Sequence, residues 1–256
     1  MLFRSLLKKI LKKNINYDFV VNLGGYVDHS NKIKTFNTHY VGCKNLVDMF
    51  SKKKIKRFLQ LGSSVEYGEV KSPHNEASII KEKNLKSTYG KAKLKATKLL
   101  IESYRKYNFP SVILRLYLAY GPNQDVNRFL PIIITESLKK KSFNCSTGRQ
   151  LRDFIYIDDL IDLIEKFLNQ KKNFNGQIFN VGTGKPKKIK NIINLIIKTL
   201  KGGEPKFGNI KLRDDEVINF YPNINKVKKF TKWKPKISFT KGLIKTINYY
   251  KSIYER

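Results

Sequence analysis

Arg57-Phe58-Leu59-Gln60-Leu61-Gly62-Ser63-Ser64-Val65-Glu66-Tyr67-Gly68 reads as an apolar-leaning strand running into a polar turn. The Ser63 hydroxyl then stands at the strand's C-terminal end, where open α/β sheets bind ligands. Downstream, Ser87 to Tyr104 carries Ala92, Ala96, Leu99, Leu100 and Tyr104 at helical spacing. That spacing, with Ser87 or Thr88 as the cap, predicts a helix. Val112 to Leu116 follows as a buried strand. Strand, turn, helix and strand in this order argue for a parallel sheet wrapped by helices.

The helix carries Tyr89 and Lys93 four residues apart, and positions i and i+4 share one face. A free tyrosine has a pKa of ~10, so using it as a base near neutral pH requires stabilising its phenolate by about 4 kcal/mol. The Lys93 ammonium beneath the phenol would supply that field and also reach a bound ribose. In a lysine-rich chain such a pair taken alone is a surface tyrosine beside a solvated lysine. Its order after Ser63 is what makes Ser63, Tyr89 and Lys93 a set suited to moving a hydride and a proton.

From Asp18 onward the chain resembles the extended short-chain dehydrogenase/reductase superfamily, in its NAD-dependent epimerase/dehydratase branch acting on nucleotide sugars. Asp18-Phe19-Val20-Val21-Asn22-Leu23-Gly24-Gly25 is similar to that family's fourth strand, whose end approaches the adenosine half of the cofactor. Asn37-Thr38-His39-Tyr40-Val41-Gly42-Cys43-Lys44-Asn45-Leu46 is similar to the next helix, with His39 where many members have Asn. Leu114 to Pro122, including Leu116 and Tyr117, resembles the strand and loop that pack against the nicotinamide. Gln150 to Asp159 resembles the segment whose arginine, here Arg152, grips the substrate pyrophosphate. Phe179 to Gly184 and Trp233 to Lys236 continue the match in order.

The resemblance implies NAD or NADP as cofactor, met by Leu23, Gly24, Gly25, His39, Ser63, Tyr89, Lys93, Leu116 and Tyr117. It implies a nucleotide-sugar substrate met by Ser64, Arg128, Arg152 and Arg213, and it admits a homodimer. Tyr89 would take the proton from a sugar hydroxyl, usually at C4, while Ser63 holds the reacting oxygen. Members that eliminate water place an acid pair just after the catalytic hydroxyl. Ser64 and Val65 stand there, with Glu66 one place too late, so dehydration is disfavoured and a 4-epimerase or 4-keto-reductase is expected. Leu118 stands where the family often has a substrate-touching Asn, so the sugar is not transferable. Two other readings stay open: a catalytically silent nucleotide-sugar-binding remnant, and a basic nucleic-acid-binding module.

Family members open with a strand and a Gly-x-x-Gly-x-x-Gly turn whose helix N-terminus holds the pyrophosphate. Here the first glycine is Gly24. Met1 to Asn14 reads instead as one helix with Phe3, Leu6, Leu7, Ile10 and Leu11 on a single stripe. The expected architecture is therefore an N-terminally truncated, Rossmann-like, doubly wound parallel sheet with a small C-terminal substrate-binding lobe. Residues 1–122 form the partial dinucleotide-binding domain, completed by 153–185, and residues 123–152 and 186–256 form the lobe. Impaired dinucleotide binding follows as an expectation, unless a second chain supplies the missing half.

The chain has 256 residues, 41% of them hydrophobic and 12% aromatic, enough for a sizeable core. Its net charge of +32 would attract phosphate without reading sequence. The lysines are spread, however, and runs such as Lys52-Lys53-Lys54, Lys139-Lys140-Lys141 and Lys187-Lys188 read as solvated loops and helix ends. They lack the interleaved aromatics that single-strand binding needs. Cys43 and Cys145, without a CxxC or Cys/His cluster, read as small buried residues of a reducing, cytoplasmic compartment, with no metal. His39 and His74 read as structural histidines, His39 also lying near the cofactor. No stretch approaches the ~18 apolar residues of a membrane span. Further helices are expected over Arg128 to Lys140, Ile189 to Leu200 and Thr240 to Tyr250, with Gly202 to Pro205 as a loop.

Overall fold

The computed structural model describes residues 15–28, 30–212 and 216–255. The expected Met1 to Asn14 helix and Arg213 lie outside these residues. Strand β1 (Phe19–Asn22) leads to helix α1 (Lys32–Phe36), which passes through a π-helical turn (Asn37–Val41) into α2 (Gly42–Phe50). Strand β2 (Arg57–Ser63) ends in a 3-10 turn (Ser64–Tyr67) and is followed by α3 (Thr88–Tyr107) and β3 (Ser111–Leu116). Then come β4 (Leu118–Tyr120), α4 (Phe129–Leu138), β5 (Ser142–Cys145), β6 (Leu151–Arg152) and β7 (Phe154–Tyr156). Helix α5 (Ile157–Asn169), β8 (Gln177–Val181), β9 (Lys187–Lys188), α6 (Ile189–Leu200) and β10 (Glu204–Phe207) follow. The described chain closes with β11 (Asn219–Phe220), α7 (Asn225–Thr231) and α8 (Phe239–Tyr254).

The main sheet has four parallel strands in the order β1-β2-β3-β8. Such strands are buried on both faces and so read as continuous apolar runs. On one face Leu59, Val112, Leu114, Phe179 and Val181 pack against Leu160, Leu163 and Phe167 of α5 and against Trp233. On the other, Phe58 and Ile113 meet Cys43, Leu46 and Val47 of α2 and Ala96 and Leu100 of α3. Each fully buried side chain of this size contributes about 1.5–3 kcal/mol. Strand β1, at the edge of the sheet, is covered on one face only: Val20 packs with α2, while Phe19, Val21 and Leu23 are exposed.

A third core joins α4, α6 and α8 through Ile133, Ile134, Ile192, Ile196, Leu243 and Ile247. Helix α3 begins after Ser87, whose hydroxyl accepts from Gly90 N at 3.0 Å. Arg128 is the N-cap residue of α4 rather than its first turn. The expected loop at Gly202 to Pro205 is shorter than the sequence suggests. Glu204 and Pro205 open β10, paired in parallel with Ser142 and Phe143 of β5, and a proline is tolerated there because an edge strand does not need its N–H. Lys187 and Lys188 likewise form a short antiparallel strand with Arg152 and Leu151, though both stay exposed.

Candidate active site

Ser63 is the last residue of β2 and, in extended conformation, caps the 3-10 turn that follows. Its hydroxyl accepts from Val65 N at 3.4 Å, while its own backbone N–H donates to Glu66 Oε1 at 2.9 Å. This reciprocal capping box folds Glu66 back over the strand end. Gly62 makes room for it, since a Cβ there would lie 2.7 Å from Glu66 Oε1. The second Glu66 oxygen accepts from Thr97 Oγ1 at 2.8 Å and from Arg115 Nε at 2.9 Å. Glu66 and Arg115 thus form an ion pair with side chains 0% and 3% exposed.

Tyr89 lies in the first turn of α3, close enough to Ser63 for that side chain to act on its hydroxyl. The His39 ring stands edge-on against the Tyr89 ring, with centroids 4.8 Å apart, and His39 Nε2 is 3.1 Å from Tyr26 O. One helical turn further, Lys93 Nζ donates to Leu61 O at 2.7 Å and sits 5.8 Å from the Tyr89 ring centroid. Ser63, Tyr89 and Lys93 are therefore brought together at the C-terminal end of β2.

Their protonation differs from the expectation that Lys93 makes Tyr89 acidic. Burial raises the Tyr89 pKa above the ordinary phenol value; the Ser63 hydrogen bond and the Arg128 charge pull it down, Glu66 pushes it up, and the balance is upward. Lys93 is held below the usual lysine value by burial, with Glu66 and Cys43 acting the other way. Burial is the main reason, and the Lys93 ammonium donates to the Leu61 carbonyl. In this chain Tyr89 is a protonated phenol at neutral pH, poised to donate.

The remaining expected residues are distributed as follows. Leu23, Gly24 and Gly25 form an exposed loop after β1. A Cβ at Gly25 would fall 1.9 Å from His39 Cε1, so this glycine already has a packing reason. Ser64 is buried at the start of the turn, and Leu116 ends β3 half-buried. Tyr117 is buried, and its hydroxyl lies 2.6 Å from His74 Nδ1. Arg128 is exposed yet close enough for its charge to act on Tyr89. Arg152 lies in a different sheet, where it pairs with Glu216 and donates to Ile218 O at 3.0 Å.

The sequence does not announce the contacts of Glu66 with Thr97 and Arg115, while His74 is the structural histidine that was expected. The Ser-x-x-Glu spacing of Ser63 and Glu66 is a capping-box signature and was legible. Nothing local marks Arg115 as its partner. His74 is fully buried, stacked on Tyr67 at 4.5 Å, and donates from Nε2 to Val70 O at 2.9 Å; burial lowers its pKa to about 4. It stays neutral and structural.

The residues present fit the nicotinamide-ribose end of a dinucleotide. Lys93 and Tyr89 can reach a ribose, and Leu116 and Tyr117 wall the strand end next to Ser63. Among the described residues no group of three or more His, Cys, Asp or Glu is placed to hold a metal ion. No described helix is long and apolar enough to cross a membrane.

A family model for the NAD dependent epimerase/dehydratase family matches residues 1–182. The CDP-abequose synthase of Salmonella typhimurium is 35% identical over 137 residues, covering 52% of this chain and 46% of that protein. The dTDP-D-glucose 4,6-dehydratase of Bos taurus is 27% identical over 257 residues, covering 95% and 70%. The crystal structure of UDP-glucuronic acid 4-epimerase from Bacillus cereus, in complex with UDP-glucuronic acid and NAD, superposes with a TM-score of 0.86 at 26% identity, covering 98% of this chain and 78% of that one. The chain spans about half the length of the CDP-abequose synthases it matches.

Proposed function

The chain belongs to the NAD dependent epimerase/dehydratase family, and from that premise we propose that it is a nucleotide-sugar 4-epimerase or 4-keto-reductase using NAD or NADP. The observation that carries the reading is the placement of Ser63 at the end of β2, close enough to act on the Tyr89 hydroxyl, with Lys93 one turn further along α3 and donating to Leu61 O at 2.7 Å. The bound dinucleotide supplies the hydride acceptor or donor. Lys93 holds the ribose, Ser63 orients the sugar oxygen, and Tyr89 gives a proton to a ketone or receives one from a carbinol. Arg128 adds positive charge beside this oxygen, and Arg152 and Arg213 serve the substrate diphosphate, a planar fork matching two phosphate oxygens.

Elimination of water is disfavoured for a geometric reason. Glu66, the nearest carboxylate along the chain, has both oxygens occupied by Ser63 N, Thr97 Oγ1 and Arg115 Nε. It is not free to abstract a proton from the sugar. A second reading, nucleotide-sugar binding without turnover, is favoured by the exposed loop after β1, where Leu23 is 57% exposed.

The test combines calorimetric titration with NAD and NADP, and NMR detection of product from UDP-, CDP- and dTDP-sugars. Turnover by the wild-type chain that falls about 10³-fold in Tyr89→Phe supports the enzyme. Turnover that survives this substitution overturns the assignment of Tyr89. Sugar binding without turnover, lost in Arg152→Ala, selects the second reading.

A further inference from the structure

We propose that Glu66 is a positioning residue for the Ser63, Tyr89 and Lys93 set, tying the Ser63 backbone to α3 and β3 and placing a buried negative charge beneath the reacting groups. The proposal rests on the reading of those three residues as the reacting set.

Three donors from three elements converge on one carboxylate. Ser63 N comes from the end of β2, Thr97 Oγ1 from α3 and Arg115 Nε from β3. A cap alone asks less than this. Any neutral acceptor, such as a glutamine oxygen, would satisfy Ser63 N, and such caps sit in water at most helix starts. Here the carboxylate is fully buried and faces a buried guanidinium, an arrangement whose desolvation is costly. Thr97 lies one helical turn beyond Lys93 on α3, so the same carboxylate fixes both the strand end bearing Ser63 and the helix face bearing Tyr89 and Lys93.

The charge also reaches the reacting groups. Those facing them are Cys43 from α2, His39 from the π-helical turn, Glu66 from the 3-10 turn, Arg115 from β3 and Arg128 at the start of α4, besides Tyr89 and Lys93 themselves. Within this set Glu66 is the carboxylate that favours the ammonium of Lys93 against its burial and keeps the proton on Tyr89. Arg115 is itself held above the ordinary guanidinium value: burial opposes its charge, while Glu66 and Tyr67 favour it. Glu66 thereby favours the protonated form of both Tyr89 and Lys93, beside the larger influence of burial on each.

The experiment titrates the full chain with ε-13C-labelled lysine by NMR for Lys93 and by ultraviolet difference for Tyr89, with Lys93→Met and Tyr89→Phe as assignments. Neither measurement needs substrate or cofactor, so it stands even if no turnover is found. In Glu66→Gln, which retains hydrogen-bonding capacity, both Lys93 and Tyr89 are expected to titrate at lower pH than in wild type, and Glu66→Asp to recover part of the shift. Unchanged titration of both groups in folded Glu66→Gln overturns the proposal and leaves Glu66 a structural cap. If that variant does not fold, the paired Glu66→Gln/Arg115→Met chain is read in the same way, with the same two results deciding.

Discussion

Strands β1 and β2 lie side by side in parallel, from Phe19 opposite Arg57 to Asn22 opposite Gln60, yet their C-terminal ends are built differently. The end of β2 is closed from every side. Ser63 is bound through its N–H and its hydroxyl, and the side chains around it include Tyr89 and, each held by a hydrogen bond, Glu66, Lys93 and Arg115. The end of β1 is open, with Leu23 in solvent and Gly24 N donating to Asn22 Oδ1 at 3.2 Å. The groups around Ser63 are fixed from several elements of this chain, whereas the loop after β1 is held by Asn22, by Thr38 Oγ1 accepting from Tyr26 N at 3.1 Å, and by His39. Preorganisation follows the number of elements that converge, and three converge on β2 where one reaches β1.

Breaking the closed end should have the largest effect. Arg115→Met leaves the Glu66 carboxylate buried and uncompensated, and is expected to destabilise the chain by about 3–5 kcal/mol in urea unfolding, with Glu66→Gln/Arg115→Met recovering much of it. Equal losses in the single and double variants would show that the pair is not the source of the closure. The contrast between the two strands is sharpened by Leu59→Ala and Val21→Ala, which truncate register partners on the same face. Leu59 is fully buried, and its loss is expected to cost about 2–5 kcal/mol. Val21, 36% exposed, should lose about 1 kcal/mol or less. Similar values would mean that the β1 edge is covered in solution.

An effect confined to acid pH concerns the wall beyond Ser63. His74 has a folded pKa of about 4 against 6.5 for the free group, so between these values the unfolded chain binds a proton that the folded chain does not. Stability is then lost as pH falls from 6.5 through 4, by up to about 3 kcal/mol. In His74→Phe this part of the pH dependence should disappear, as followed by chemical unfolding at several pH values. A profile identical to wild type would place His74 in contact with water.

Much of the architecture was legible because burial on both faces leaves its mark on each strand separately. β2 and β3 read as apolar runs, the Tyr89 helix announced its cap at Ser87, and the pairing of Tyr89 with Lys93 needed only the helical period. Other features left no such mark. Glu204 to Phe207 forms a strand because Ser142 to Cys145 lies alongside, a partner some sixty residues away in sequence. The direction of the Tyr89 shift was misjudged because spacing places Lys93 on the right face without saying what its ammonium touches.

Residue order by itself determined the parallel α/β sheet, the family, and the meeting of Ser63, Tyr89 and Lys93 at one strand end, since each depends on local periodicity and on motifs a few residues long. Tertiary structure alone decided that Glu66 closes on Arg115, that Lys93 is spent on Leu61 O, and that Tyr89 keeps its proton. Those outcomes depend on burial and on charges brought together from strands and helices distant in the chain, and electrostatic energy is set by separation in space and by the exclusion of water.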